Sequence, residues 1–183
     1  MPEQHHSHGT DLAVPLSATD HTLGPDHAPV VVIEYGDFQC PTCKQAAPAV
    51  KMLLDRFANR VRFAFRHFPL EQAHPQALGA AEAAEAASEQ GRFWEMHDLL
   101  FANQDRLTAH HLHGYAGHLG LDLPQFTAEL DDHVYLQRIR EHQDGGRRSH
   151  VRGTPGFFVN GRIVDVSFNV ERLFEAVGAA LRG

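Results

Sequence analysis

The stretch from Val30 to Cys43 constrains this chain more than any other. It runs Val30-Val31-Val32-Ile33-Glu34-Tyr35-Gly36-Asp37-Phe38-Gln39-Cys40-Pro41-Thr42-Cys43. A near-continuous β-branched run predicts a strand buried on both faces. Gly36 breaks it, and amphipathic sequence follows the cysteines, so a helix should begin at Cys40 or Pro41. Proline suits a first helical turn because its missing N–H would have had no partner there. The unpaired N–H groups and the dipole of a helix N-terminus favour negative charge. Cys40 should therefore be a low-pKa, nucleophilic thiolate. Cys43, one turn deeper, is placed to resolve a mixed disulfide with it.

The chain's 183 residues include only these two cysteines. A structural zinc site normally takes four ligands. A second cysteine pair is missing, and the fifteen histidines form no convincing spaced pair near a turn. Two inert buried thiols are the remaining alternative. A Cys-x-x-Cys beside a βαβ pattern favours redox chemistry over both.

The flanking sequence supplies that pattern. Ala46, Ala47, Val50, Leu53, Leu54 and Phe57 recur at helical spacing, with Pro48 expected to kink the helix and Asn59 to end it. Val61, Phe63 and Phe65 alternate with polar or small residues as a second strand, which makes a right-handed parallel βαβ unit. An all-helical stretch is expected next. Its helices lie at Gln76–Gln90, ended by Gly91, around Phe93–Phe101, from Thr108 to His118, from Pro124 onward, and from Val134 to Arg148, ending near Gly145-Gly146 or slightly beyond. Phe157–Val159 and Arg162–Val166 flank Asn160-Gly161, a strong hairpin signal. Val170 to Leu181 is patterned as a final helix. The order is β-α-β, a helical block, then β-β-α. Ahead of it, residues 1–20 read as a flexible arm with a short strand near Leu12–Leu16, and Thr22–Pro29 as a loop.

Composition narrows the function. Net charge is 16 − 23 = −7 and no basic patch stands out, which argues against a nucleic-acid partner. No run is apolar for long enough to span a membrane, and Met1–Thr10 lacks the apolar core of a signal peptide. The expectation is a cytoplasmic protein without membrane contact. His5, His6 and His8 read as tail. Phe93, Trp94 and Phe101 read as core. His110, His111 and His113 point in different directions on a helix and read as surface.

Cys40-Pro41-Thr42-Cys43, Phe68-Pro69-Leu70, the helical insertion and Thr154-Pro155 before a hairpin occur in an order that resembles the DsbA-like thiol:disulfide oxidoreductases of the thioredoxin-fold superfamily. The resemblance runs from about Gly24 to the C-terminus. It implies an α/β thioredoxin fold: a first half over 21–70, the helical insertion over 71–150 and a second half over 151–183. It implies exchange of disulfides with protein or peptide substrates, an unidentified redox partner, and no metal or organic cofactor, since the cysteine pair carries the electrons. It also implies a cis Pro155 against the redox pair. Thr154 would offer its backbone to an extended substrate, and Pro41 and Thr42 would share that face. Glu34, out of place in an apolar strand, would have a raised pKa and relay protons to Cys43. Thr42 stands where strong oxidants of the family carry a histidine. With no positive charge there, and Asp37 nearby, a milder oxidant or even a reductant is expected. Two alternatives use the same residues: a redox-sensing or binding module without turnover, and a glutathione-linked isomerase or transferase, against which Cys43 argues.

Overall fold

The structure is a computed structural model that describes residues 10–183; His5, His6 and His8 lie outside the described residues. Its centre is β2 (Val30–Gly36), the expected strand. β2 pairs in parallel with β3 (Val61–His67), from Val30↔Val61 to Gly36↔His67. On its other side it pairs antiparallel with β4 (Gly156–Val159), and β4 turns back into β5 (Arg162–Val164). Asn160 and Gly161 both take positive φ, 46° and 80°, as a two-residue hairpin of matching twist demands. A further strand, β1 (His21–Leu23), closes the sheet in the order β1-β3-β2-β4-β5.

Side chains alternate between the faces of a strand. Val30 and Val32 join Phe63, Phe65, Phe157 and Val159 in the larger core. That face is covered by α1 (Pro41–Arg56), which carries both cysteines, by the final helix α7 (Glu171–Arg182), and by the insertion. Glu34 is two residues beyond Val32, so it points to this same face, toward the cysteine helix. Ile33 and Tyr35 point the other way, into a smaller core with Ala64, Phe68 and Phe158.

The insertion comprises α2 (Ala77–Glu89), α3 (Phe93–Ala102), α4 (Ala109–His118), α5 (Leu123–Asp131) and α6 (Leu136–Arg148). Gly91, at φ 76°, ends α2 as its sequence position suggests. Thr108 precedes α4, yet its hydroxyl bonds the His111 ring at 2.8 Å instead of capping the backbone. Asp122 does cap α5, accepting from the Gln125 N–H. α1 runs unbroken through Pro48.

Two expectations are corrected. Leu12–Leu16 forms no strand; the short strand is His21–Leu23, overlapping the start of the segment read as loop. From Thr10 the arm is bound to the fold. Leu12 is buried, its N–H donates to Gly161 O, and Ala13 N–H donates to the Ser149 hydroxyl. The main anchor is Arg66. Its guanidinium forks the Asp20 carboxylate at 2.8 Å twice and donates to Val14 O, Pro15 O and Tyr35 Oη. Both partners of the pair are 3% exposed. The last insertion helix, α6, ends at Arg148, slightly beyond Gly145-Gly146 as its sequence allows. Both glycines lie inside it, where a Cβ would press on Val14 and the Tyr35 hydroxyl at Gly145, and on the Phe68 ring at Gly146. They are glycines for close packing, not for a helix end.

Candidate active site

The redox pair is assembled by the turn between β2 and α1. At Gly36 a side chain would collide with the Phe65 ring, so the chain can leave the sheet here only through glycine. Cys40 is the N-cap of α1, in extended conformation, with its N–H on Asp37 O at 3.1 Å. The loop is clamped from three sides. Asp37, 1% exposed, accepts from the N–H groups of Gln39 and Leu70 and pairs with His74 at 2.8 Å. Gln39 in turn accepts from the Gln76 N–H. Gln104, from the turn after α3, donates to Phe38 O at 3.0 Å and to Cys40 O at 2.7 Å.

Both cysteines are free thiols here. Cys43 is fully buried, and Cys40 is 6% exposed. The Cys43 thiol hydrogen-bonds the Cys40 sulfur. With help from Thr154, the Thr42 hydroxyl and the Cys43 N–H, it outweighs burial and holds the Cys40 pKa down at about 5. Burial, the hydrogen bond to Cys40 and the neighbouring Glu34 charge push Cys43 far up, so it stays protonated. The two sulfurs are thus differentiated into nucleophile and protonated partner. Asp37, expected to oppose the thiolate, is instead turned onto the loop N–H groups and His74 and is not among the groups that set the Cys40 pKa.

The Thr154–Pro155 peptide is cis, and Thr154 O lies 3.5 Å from Cys40 Sγ. Thr42 Oγ1 lies 3.0 Å from that sulfur and 3.0 Å from Thr154 O. It has one proton for two acceptors. Pro41 is exposed at the first turn of α1. Thr42 and the 150–157 loop line one wall of an open groove of about 670 Å³, and Ile163 and Phe168 line the other. Phe168 is 88% exposed.

Glu34 is 2% exposed, and its Oε1 has no hydrogen-bond partner. Burial first, and the charge on Cys40 second, push its pKa up to about 8. His67 faces away from the pair. It is buried against Phe38, and its Nε2 shares Glu85 Oε1 with His21, at 2.7 Å each. The ligand atoms of these three residues lie within 4.8 Å of one another, a cluster of metal-binding type. Two 2.7 Å contacts are hydrogen bonds, whereas donors around a zinc ion stand about 3.3 Å apart. Arg138 lies against the second Glu85 oxygen at 3.0 Å, so a cation already occupies the carboxylate. Of the histidines read as surface on α4, His110 is exposed, while His111 and His113 are half-buried, His113 between Thr127 and the Phe126 ring of α5. Gln104, His74 and Phe168 had no sequence signal, because tertiary approach alone brings them to the site.

A thioredoxin family model matches residues 16–179. The chain belongs to the thioredoxin family. Among solved structures of this family, BdbD of Bacillus subtilis superposes with a TM-score of 0.82 at 23% identity, covering 90% of this chain and 94% of that one. A thioredoxin-like oxidoreductase of Silicibacter pomeroyi superposes at 0.81 with 26% identity, covering 91% and 95%. A third relative, the Na(+)/H(+) antiporter NhaA 1 of Salinispora arenicola, is 53% identical over 174 residues, which is 94% of this chain and 26% of that protein. The chain thus spans about a quarter of such antiporter relatives, several of which match. Among the described residues no helix is long and apolar enough to cross a membrane.

Proposed function

We propose that this DsbA-like domain is a thiol:disulfide oxidoreductase acting on protein or peptide substrates. The observation that carries the reading is the split between the two sulfurs: a Cys40 held down at about 5 beside a Cys43 kept protonated by burial. The Cys40 thiolate attacks a substrate disulfide, or an incoming thiolate attacks the Cys40–Cys43 disulfide at Cys40. Cys43 then closes or reopens the internal bond. Glu34, on the same sheet face as the cysteine helix, exchanges a proton with Cys43 and takes it as the carboxylate, the form it reaches as pH rises toward about 8. Thr154, Pro155, Pro41 and Thr42 form the substrate face. The electrons reside in the sulfur pair, so the reading requires no metal or organic cofactor.

Turnover of insulin disulfides with a thiol donor tests the reading. Wild-type protein should sustain reduction, Cys40→Ser should abolish it, and Cys43→Ser should accumulate a mixed disulfide on Cys40. A pair that oxidises and reduces once but never turns over would favour the sensor alternative. Glutathione-dependent activity that survives Cys43→Ser would favour the transferase alternative.

A further inference from the structure

Resolution by Cys43 releases a proton in the interior, beside the buried Glu34. A cleft of about 440 Å³ between α1 and α3 reaches Glu34 from the surface. Its walls are apolar, with Ala47, Leu54, Phe63, Trp94 and Phe101 among them. Two buried side chains lining it carry polar atoms without a partner: Glu34 Oε1 and His97 Nε2. Glu34 is 2% exposed and His97 is 7% exposed. Buried polar atoms nearly always have a partner, in the protein or in water. Glu34 and His97 both line this cleft, and each lacks the partner that a water molecule admitted from it would supply. The volume holds several molecules at about 30 Å³ each. The other ring nitrogen of His97, Nδ1, lies 2.9 Å from Asp98 Oδ1, and the Asp98 side chain is 73% exposed.

We propose that His97, with Asp98 and water in the α1–α3 cleft, conducts the Glu34 proton between the buried redox pair and bulk solvent. The proposal rests on the reading of Glu34 as the Cys43 base. The Cys43 S–H bond breaks and its proton passes to the Glu34 carboxylate. The sulfur's electron pair forms the bond to Cys40, and the substrate leaves as a thiolate, so the disulfide electrons balance. Glu34 then gives its proton to a cleft water, and that water protonates His97 Nε2. The Nδ1 proton leaves through Asp98 to solvent. Reduction of the internal disulfide runs the route backwards. An Nδ1–H donated to Asp98 leaves Nε2 as an acceptor, as the route needs.

The charged and titratable groups around the cleft fit this role. Lys44 and Lys51 of α1 stand exposed at its mouth beside Asp98 of α3. His21 of β1 adds repulsion against a charged His97, and Cys40 and Cys43 lie beyond Glu34. Burial above all lowers the His97 pKa, so the ring rests neutral and ready to accept. His97 does not touch the sulfurs; it acts through Glu34.

Single-turnover oxidation of the reduced full chain by saturating glutathione disulfide tests the route, because closure by Cys43 then limits the rate. His97→Gln can bond Asp98 but cannot pass a proton. Closure should slow by about tenfold or more and lose part of its pH dependence, while alkylation of Cys40 keeps the wild-type rate. Asp98→Asn changes an exposed side chain and serves if His97→Gln does not fold; it should slow closure a few-fold. Glu34→Gln is measured in parallel. Slow closure in Glu34→Gln with wild-type closure in the other two overturns the route and leaves Glu34 as base. Wild-type closure in all three overturns both readings. Equal slowing of closure and of Cys40 alkylation in His97→Gln marks a structural defect and also overturns the route.

Discussion

Glu34→Gln should stabilise this protein, and only in a defined pH window. The carboxyl is 2% exposed with an unpartnered Oε1, and its pKa rises from the ordinary 4.5 to about 8. A carboxyl whose folded pKa is raised binds its proton more tightly in the folded state. Stability is therefore greatest below pH 4.5 and is lost as pH rises toward 8. At pH 7 the unfolded chain has been ionised for about 2.5 pH units while the folded protein still holds the proton. At about 1.4 kcal/mol per pH unit the cost is about 3 kcal/mol. Glutamine is isosteric, never ionises, and leaves a neutral unpartnered group much as the protonated acid does. Denaturant unfolding of the reduced protein should show the variant about 3 kcal/mol more stable at pH 7 and equal to wild type at pH 4.5. Oxidation removes the Cys40 charge, so the gain should shrink in the disulfide form but keep its sign, because burial is the larger cause. The same variant should close its disulfide more slowly, a trade of stability against function. A gain that is the same at both pH values, or a loss at pH 7, would refute the reasoning.

Other perturbations have equally definite outcomes. Thr42→Val removes a hydrogen bond 3.0 Å from the Cys40 sulfur, and a bond to a charged group contributes about 1.5 kcal/mol at this partly exposed position. The Cys40 pKa should rise from about 5 by about one unit, read from the pH dependence of alkylation, and the potential should fall by about 30 mV. Asp20→Ala leaves the buried Arg66 charge without its carboxylate and should cost about 3 kcal/mol in unfolding free energy. It should also raise proteolysis of residues 10–20.

The parts of the site that were legible in the sequence are those written in consecutive residues. A β-branched run, a glycine, Cys-Pro-Thr-Cys, a late Thr-Pro and an Asn-Gly turn each act over a few positions, and together they order the fold. What stayed hidden depends on residues far apart in the chain. Arg66 and Asp20 are separated by 46 positions, and nothing in the arm's composition announces a buried ion pair. A strand of three residues, His21–Leu23, is too short to show a period. Gly145 and Gly146 look like a helix end until Tyr35 and Phe68 are seen against them. Asp37 reads as a charge beside the thiolate, whereas its carboxylate is taken up by Gln39, Leu70 and His74. Glu34 was legible because it violates the pattern around it. His97 was not, because an aromatic-rich helix hides a histidine that packs edge-on to Phe65 and Phe101.

The most direct test is the reduction potential of the Cys40–Cys43 pair, read by mass across a series of glutathione buffers. A Cys40 pKa of about 5 lies between the values of about 3.5 and 7 that accompany potentials of about −120 and −270 mV. The pair should close to a disulfide with a potential near −200 mV, milder than the strong oxidants. A pair that forms no disulfide in any buffer, or one with a potential below about −300 mV as structural disulfides have, would contradict the account.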